Sequence, residues 1–338
     1  RFDARKKIAL ELEEKGFLVK TEDYTSEVGY SERTDAVVEP RLSLQWWVSM
    51  KDLSTPALRA VMDEEIRFYP AKFKNTYRYW MENIKDWCIS RQLWWGHRIP
   101  AWYDEAGNVY VAASLEALHA EKPETKNLVL KQDEDVLDTW FSSWLWPFEV
   151  FKGFSNPGNK DVQYYYPTQT LVTAPEIIFF WVARMIMSGF EYMDGKPFSN
   201  VYFTGIVRDE QGRKMSKQLG NSPELLGLID KYGADAIRFG ILISSPAGND
   251  LLFDVKEEST LKQGSFFINK LWNAMKLVKI WEGRIENNKE QEAEEFAVQW
   301  FQQRLHESKA EIESLFAQFK LSEALKAIYT LIWDDFCS

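Results

Sequence analysis

Three segments between residues 169 and 203 restrict this chain to a narrow set of folds. Gln169-Thr-Leu-Val172 is a short apolar run suited to a buried strand, residues 177–190 form an apolar stretch of helical length, and Asn200-Val-Tyr-Phe203 reads as a second strand. Strand, helix and strand within about 35 residues make a βαβ unit, with parallel strands and a right-handed crossover. Such sheets bind ligands outside the carboxyl ends of their strands. Thr204-Gly205 lies at one of those ends, and a loop with two lysines follows it. The 177–190 stretch has only about 14 residues, too few to span a bilayer, so no membrane association is expected.

The loop reads Lys214-Met-Ser-Lys-Gln-Leu-Gly-Asn221, bracketed by Gly212 and Gly220. A lysine ammonium is a compact charge on a flexible stem, so Lys214 and Lys217 together can follow the migrating charge of a polyphosphate. The glycines permit the positive φ angles of tight reversals. The same composition also suits a basic surface hairpin, since Asp209-Glu-Gln-Gly212 is ordinary turn sequence. A strand-like run before the loop and Pro223-Glu-Leu-Leu226 after it set the loop between a strand end and a helix start.

An amphipathic helix is expected up to about Lys15, stopped by Gly16. Thr55-Pro56 reads as an N-cap and first-turn proline opening a helix through about Glu65, and another helix is expected over residues 74–87. Short strands and turns fill 96–133, with a hairpin turn at Glu105-Ala-Gly-Asn108. Beyond Asp250, apolar residues recur at helical spacing, as in Phe267, Leu271, Met275 and Val278 or Leu325, Ile328 and Ile332, which predicts an all-helical region. The polar run 282–295 is its expected exposed connection. Thr173-Ala-Pro-Glu176 matches a capping box at the start of the 177–190 helix.

Composition narrows the function classes. At 338 residues and 45% hydrophobic content, the chain suffices for two or three domains. Its formal net charge is −10, and the segment from Leu251 onward has eleven basic against fifteen acidic residues, so any RNA contact must be local. The two cysteines, Cys88 and Cys337, supply neither a disulfide framework nor a four-ligand zinc site, which suits a reducing, cytoplasmic compartment. Fifteen tryptophans, some adjacent as in Trp46-Trp47 and Trp94-Trp95, suggest an aromatic core or aromatic-walled pockets. The acidic residues Asp133, Glu134, Asp135 and Asp138 lack the spacing of a calcium loop and read as turn and fold-stabilising contacts.

Four blocks resemble class I aminoacyl-tRNA synthetases of the isoleucine/leucine/valine subfamily, in their valine-specific form. The lysine loop is similar to the family's Lys-Met-Ser-Lys-Ser loop, with Gln218 in place of the final serine. Thr173-Ala-Pro-Glu-Ile-Ile-Phe-Phe-Trp-Val-Ala-Arg-Met185 resembles a Thr-Gly-Phe-Asp-Ile-Ile-Phe-Phe-Trp-Val-Ala-Arg-Met segment, with Ala174 and Glu176 replacing glycine and aspartate. Residues 87–103, which include Leu93-Trp-Trp-Gly-His-Arg98, and Asp135-Val-Leu-Asp-Thr-Trp-Phe-Ser-Ser143 resemble the other two.

The resemblance implies an α/β fold, with residues 46–250 as the second half of a Rossmann-like parallel-sheet catalytic domain. Residues 1–45 would be the trailing edge of an inserted editing domain, and 251–338 a truncated helical-bundle anticodon-binding domain. Lys214 and Lys217 are implied to be catalytic and to contact ATP with Met215, Ser216, Thr173, Glu176, Thr204 and Gly205. Glu176 is read either as a ribose contact or as a helix cap alone. Trp95 and Trp140 are read either as walls of the amino-acid pocket or as core tryptophans; the pocket reading suits a branched aliphatic side chain, which offers no hydrogen bonds.

The family's catalytic His-Ile-Gly-His is missing: the histidines are His97, His119 and His306, and His97 is read as structural. Ser31 and Thr34 stand where comparable synthetases carry a Cys-x-x-Cys zinc knuckle, so no zinc is expected. The expectation is therefore an internal fragment, inactive alone, of a cytoplasmic and monomeric enzyme. That enzyme would ligate valine to tRNA(Val) through a valyl-adenylate, using ATP as substrate with Mg2+. The alternatives are an isoleucine-specific relative, disfavoured by Leu93-Trp-Trp-Gly-His-Arg98 and Ile177-Ile-Phe-Phe-Trp181, and a non-catalytic helical RNA-binding or scaffold module.

Overall fold

The computed structural model describes residues 2–31, 34–39, 42–253, 259–282 and 292–337. The chain divides into two compact units, Arg1–Gln45 and Trp46–Ser338. In the first, the helix Phe2–Glu14 ends before Gly16, whose φ of 70° lets the chain reverse so that Phe17 and Leu18 N–H both donate to the Leu12 carbonyl. None of the helix's residues is buried. Ser31 and Thr34 lie in a turn closed by a Tyr30–Val37 bridge; the two residues between them, and Arg1, lie outside the described residues.

The second unit is organised on a parallel three-stranded sheet in which Phe198–Phe203 is central, flanked by Arg67–Tyr69 and Thr168–Thr173. The strands of the expected βαβ unit pair in parallel, Thr170 opposite Asn200 and Thr173 opposite Phe203. Phe198, Val201 and Phe203 enter a core shared with Val61 and Ala57 of helix Lys51–Met62 and with Met185 and Ile186 of helix Ala183–Tyr192. On the other face, Tyr69 and Tyr202 stack on Phe319, with ring centroids 4.3 and 6.0 Å away.

Several expectations are corrected. The strand around 169–172 is not buried, because it forms the sheet edge: Val172 is 59% exposed, and among the described residues no strand pairs its outer side. The helix assigned to Thr55 begins a turn earlier, at Lys51, with Pro56 inside it. Ser54 and Thr55 hydroxyls bond back to the Lys51 carbonyl at 2.8 and 3.3 Å and do not cap. The helix expected over 74–87 is Phe73–Glu82, and Trp87–Cys88 pairs instead with Trp47–Val48. Tertiary contact decides this, since the Trp87 ring is buried and its indole N–H donates to Asp138 at 2.9 Å. The 177–190 helix is split into a 3₁₀ turn Pro175–Ile177, a π-helical turn Ile178–Val182 and the α-helix Ala183–Tyr192.

The hairpin around Glu105–Asn108 joins Ala101–Tyr103 to Val109–Val111, with Gly107 at φ 84°. Beyond it, Ser114 Oγ caps an unexpected short helix, Leu115–Glu121. The chain does not become all-helical at residue 251, since Leu251–Leu252 forms a strand parallel to Val207–Arg208. Helices Ser259–Glu282, Glu292–Ala317 and Leu321–Thr330 follow. Most of the expected polar connection, residues 283–291, lies outside the described residues. Phe203 is fully buried edge-on against Phe68 at 5.1 Å. Phe203→Ala is expected to remove about 3–5 kcal/mol of stability, read as a lower urea midpoint with an unchanged slope.

Candidate functional site

The central strand delivers the chain to a fixed base at its carboxyl end. Thr204 N–H donates to the Thr173 carbonyl at 2.9 Å, so the ends of the two parallel strands are tied together. Gly205 follows, and a Cβ there would lie 1.7 Å from the Asn249 carbonyl oxygen, which leaves glycine as the residue that fits. Gly248 N–H donates to the Phe203 carbonyl, and Ile206 N–H donates to Asp250 Oδ1 at 3.0 Å. Arg208 forms an ion pair with Asp250 and donates to the Gly212 carbonyl at 3.2 Å. Lys72 ties the same 248–249 loop to the helix Phe73–Glu82 by two bonds of 3.2 Å.

From that base the lysine hairpin is held by two short polar side chains. Asp209 is buried; its Oδ1 accepts from the Gln211 and Arg213 N–H groups at 3.0 and 2.9 Å, and its Oδ2 from Arg213 Nε and Asn221 Nδ2, both at 2.9 Å. The bond from Asn221 comes first among the causes that hold this carboxyl far below the usual carboxylate range, followed by those from Arg213 and Gln211. Asn221 also accepts from Ser216 N–H at 2.9 Å and donates to the Lys214 carbonyl at 3.3 Å. Ser216 Oγ in turn accepts from Leu219 N–H. Gly212 and Gly220 have φ of 76° and 64°, the left-handed conformation expected of them.

This network fixes the loop backbone while Lys214 and Lys217 remain exposed, with Met215 and Ser216 half-buried between them. Asp209 and Asn221 went unrecognised in the sequence because aspartate, asparagine and glycine are ordinary turn residues. The available signal was their capacity to bond neighbouring backbone, one on each side of the lysines.

The remaining expected residues are placed less uniformly. Thr173 is buried at its strand end, but the capping box does not form: Ala174 is the residue preceding the 3₁₀ turn, no side chain caps it, and Glu176 is exposed. Thr204 and Gly205 border a largely apolar cavity of about 620 Å³ whose other walls include Tyr202, Ile241 and Phe316, and to which neither lysine contributes.

Trp95 is 92% exposed on a bend, and so is not a core residue, whereas Trp140 is half-buried and stacks on Phe180 at 6.1 Å with an interplanar angle of 25°. His97 is exposed. The acidic run makes fold-stabilising bonds: Asp133 accepts from Trp46 Nε1 at 2.9 Å and from Tyr103 OH at 2.8 Å, and Asp138 from Trp87 Nε1 at 2.9 Å and Arg91 at 2.8 Å. Among the described residues no group of three or more His, Cys, Asp and Glu is arranged to hold a metal ion, and no helix is long and apolar enough to cross a membrane.

Asn221→Ala is expected to raise the rate of endoproteinase Lys-C cleavage after Lys214 and Lys217 several-fold at neutral pH while far-UV circular dichroism stays unchanged. Because the Asp209 carboxyl is more acidic folded than unfolded, its contribution is complete above its unfolded pKa and is lost as pH falls through its folded value. Hydrogen exchange of the 207–221 backbone, corrected for intrinsic rates, should therefore stay slow at about pH 5–7 and quicken below about pH 4, and Asp209→Asn should remove that acid dependence.

The model for the family tRNA synthetases class I (I, L, M and V) matches residues 11–254. The Valine--tRNA ligase of Bacteroides fragilis is 58% identical over 344 residues, an alignment that takes in 100% of this chain and 39% of the relative. That of Chlorobaculum tepidum is 50% identical over 352 residues, with 100% and 38% covered. The chain thus spans about two fifths of the length of the curated relatives it matches. The fold is shared with a Mycobacterium tuberculosis methionyl-tRNA synthetase in complex with methionyl-adenylate, at TM-score 0.64, 16% identity, and 91% of this chain against 54% of that one. It is also shared with a LeuRS in a ternary complex with tRNA and LeuAMS from Agrobacterium radiobacter, at TM-score 0.62, 18% identity, and 75% against 36%. The chain belongs to the class I tRNA synthetases of the I, L, M and V group.

Proposed function

We propose that this chain is the phosphate-binding half of the adenylation site of a valine–tRNA ligase. The observation that carries the reading is an exposed lysine pair on a hairpin fixed to the carboxyl end of a parallel sheet, in a chain 58% identical over its whole length to a Valine--tRNA ligase. In the whole protein, the valine carboxylate attacks the α-phosphorus of ATP, pyrophosphate leaves, and the valyl group passes from the adenylate to tRNA(Val). Lys214 and Lys217 act electrostatically on charge that develops on the phosphates, and neither needs to exchange a proton. Holding the loop backbone while leaving both stems free suits that role, since preorganisation comes from the Asp209–Asn221 network and reach from the side chains.

Met215 and Ser216 belong to the same ATP site in this reading, with Thr173, Thr204 and Gly205 lining it where the two strand ends are tied together. Glu176 is exposed and takes no part in a cap, which favours its use as a ribose contact. Magnesium enters with ATP as part of the substrate. Trp95 and Trp140 are walls of the valine pocket, Trp140 half-buried against Phe180 and Trp95 exposed at the open side of this half of the site. The side of Thr168–Thr173 that no strand pairs among the described residues offers an edge for the strands that the family's His-Ile-Gly-His half supplies.

Residues 1–45 are then the trailing edge of the editing domain, 46–250 the second half of the catalytic domain, and 251–338 the start of an anticodon-binding helical bundle in a cytoplasmic monomer. The acidic balance of that last segment limits its RNA contacts to local ones.

In the full-length protein, Lys217→Ala is expected to lower the rate of valine-dependent ATP–pyrophosphate exchange by about 100-fold or more, with the valine KM changed by only a small factor. An unchanged rate would remove the lysine from the mechanism. The 338 residues by themselves are expected to show no valine-dependent exchange, and robust exchange by them would overturn the assignment of half a site.

A further inference from the structure

Arg184 is a buried cation to which the adenylation chemistry gives no task. It is 5% exposed, with its guanidinium carbon 3.5 Å from the Trp87 ring centroid and 5.6 and 5.8 Å from those of Phe179 and Phe180. Asp138 is the carboxylate that faces it, at 3.9 Å from NH1, and among the described residues neither Nε nor NH1 has a hydrogen-bond partner. Burial brings its pKa down to about 10, with Asp138 opposing the shift, so the group stays cationic at neutral pH. A buried guanidinium with two unbonded nitrogens is a poor way to stabilise a core, where an apolar side chain of similar volume does as well or better.

What the cation touches points to a different role. Asp138 Oδ1 accepts from the Trp140 N–H at 3.2 Å, while its Oδ2 takes Trp87 and Arg91. Phe180, at the rim of the aromatic cage around Arg184, is the ring that stacks on Trp140. Trp140 is thus gripped twice, through its backbone by Asp138 and through its indole by Phe180, and Arg184 lies beside both grips, 3.9 Å from the Asp138 carboxylate and 5.8 Å from the Phe180 ring centroid. Phe179 and Phe180 lie in the π-helical turn Ile178–Val182, a widened geometry that recurs at functional sites.

We infer that Arg184 is a positioning residue that sets the angle and depth of the Trp140 ring, and with it the shape of the amino-acid pocket. The inference rests on the reading of Trp140 as a pocket wall. Its chemistry requires a planar cation: the guanidinium lies against Trp87 while its charge faces Asp138, and a lysine ammonium can supply the charge without the flat stack.

The test is amino-acid-dependent ATP–pyrophosphate exchange by the full-length protein in four variants, Arg184→Met, Arg184→Lys, Phe180→Leu and Trp140→Ala, with KM for valine and for ATP measured separately. Arg184→Met is expected to raise the valine KM about tenfold and to narrow the preference for valine over isoleucine, with the ATP KM held within about twofold. Arg184→Lys should recover part of the loss. Phe180→Leu, at a 46% exposed position, should reproduce the valine effect even if Arg184→Met does not fold. If Trp140→Ala raises the valine KM and neither Arg184→Met nor Phe180→Leu does, positioning is overturned and the pocket stands. If the Arg184 variants raise both KM values equally, Arg184 is a fold residue and the inference falls. If Trp140→Ala itself leaves the valine KM unchanged, the pocket reading fails and takes the inference with it.

Discussion

The parallel pairing of Phe198–Phe203 with a strand on each side is the constraint from which the rest of the molecule follows. Parallel neighbours end together, so Thr173 and Thr204 meet at one rim of the sheet, and the next residue is a glycine because the 249 backbone leaves no room for a Cβ. Parallel neighbours also need a crossover, and the segment from Pro175 to Tyr192 supplies it. Its inner face fills the core, and its π-helical turn sets Phe179 against Trp80 and Phe180 against Trp140. One ladder therefore positions both the lysine hairpin and the aromatic block.

At each of these places a buried aspartate gathers N–H donors. Asp209 collects two backbone amides, an arginine and an asparagine beneath the lysines, and Asp138 collects an indole, an arginine and a backbone amide beneath Trp140. A carboxylate on a one-carbon stem has few rotamers and about four acceptor sites, so it can lock several elements at once. The cations divide accordingly. Arg91, Arg184, Arg208 and Arg213 all face carboxylates as fixed planar groups, whereas Lys214 and Lys217 keep their mobility in solvent. That division separates the parts that hold a shape from the parts that can follow a substrate's charge.

Features encoded by local periodicity and glycine conformation were legible in the sequence. The βαβ unit, the 105–108 hairpin and the positive φ of Gly212 and Gly220 are examples. Features decided by distant partners were not. Trp87 reads as helix until Asp138, 51 residues away, takes its N–H. Val172 reads as buried until the neighbouring strand proves to cover one side only. Leu251-Leu252 has no strand signal apart from Val207–Arg208, and Pro56 sits inside a helix that starts a turn earlier, where Ser54 and Thr55 bond backward and do not cap. The candidate loop is half legible for the same reason: the lysines stand out by charge and spacing, while Asp209 and Asn221 act only through the three-dimensional closure of the hairpin.

The most direct measurement on the central claim is the amino-acid preference of ATP–pyrophosphate exchange by the full-length protein, comparing valine and isoleucine in parallel. Valine is expected to support exchange with the higher kcat/KM. Exchange driven preferentially by isoleucine, or by neither amino acid, would contradict it.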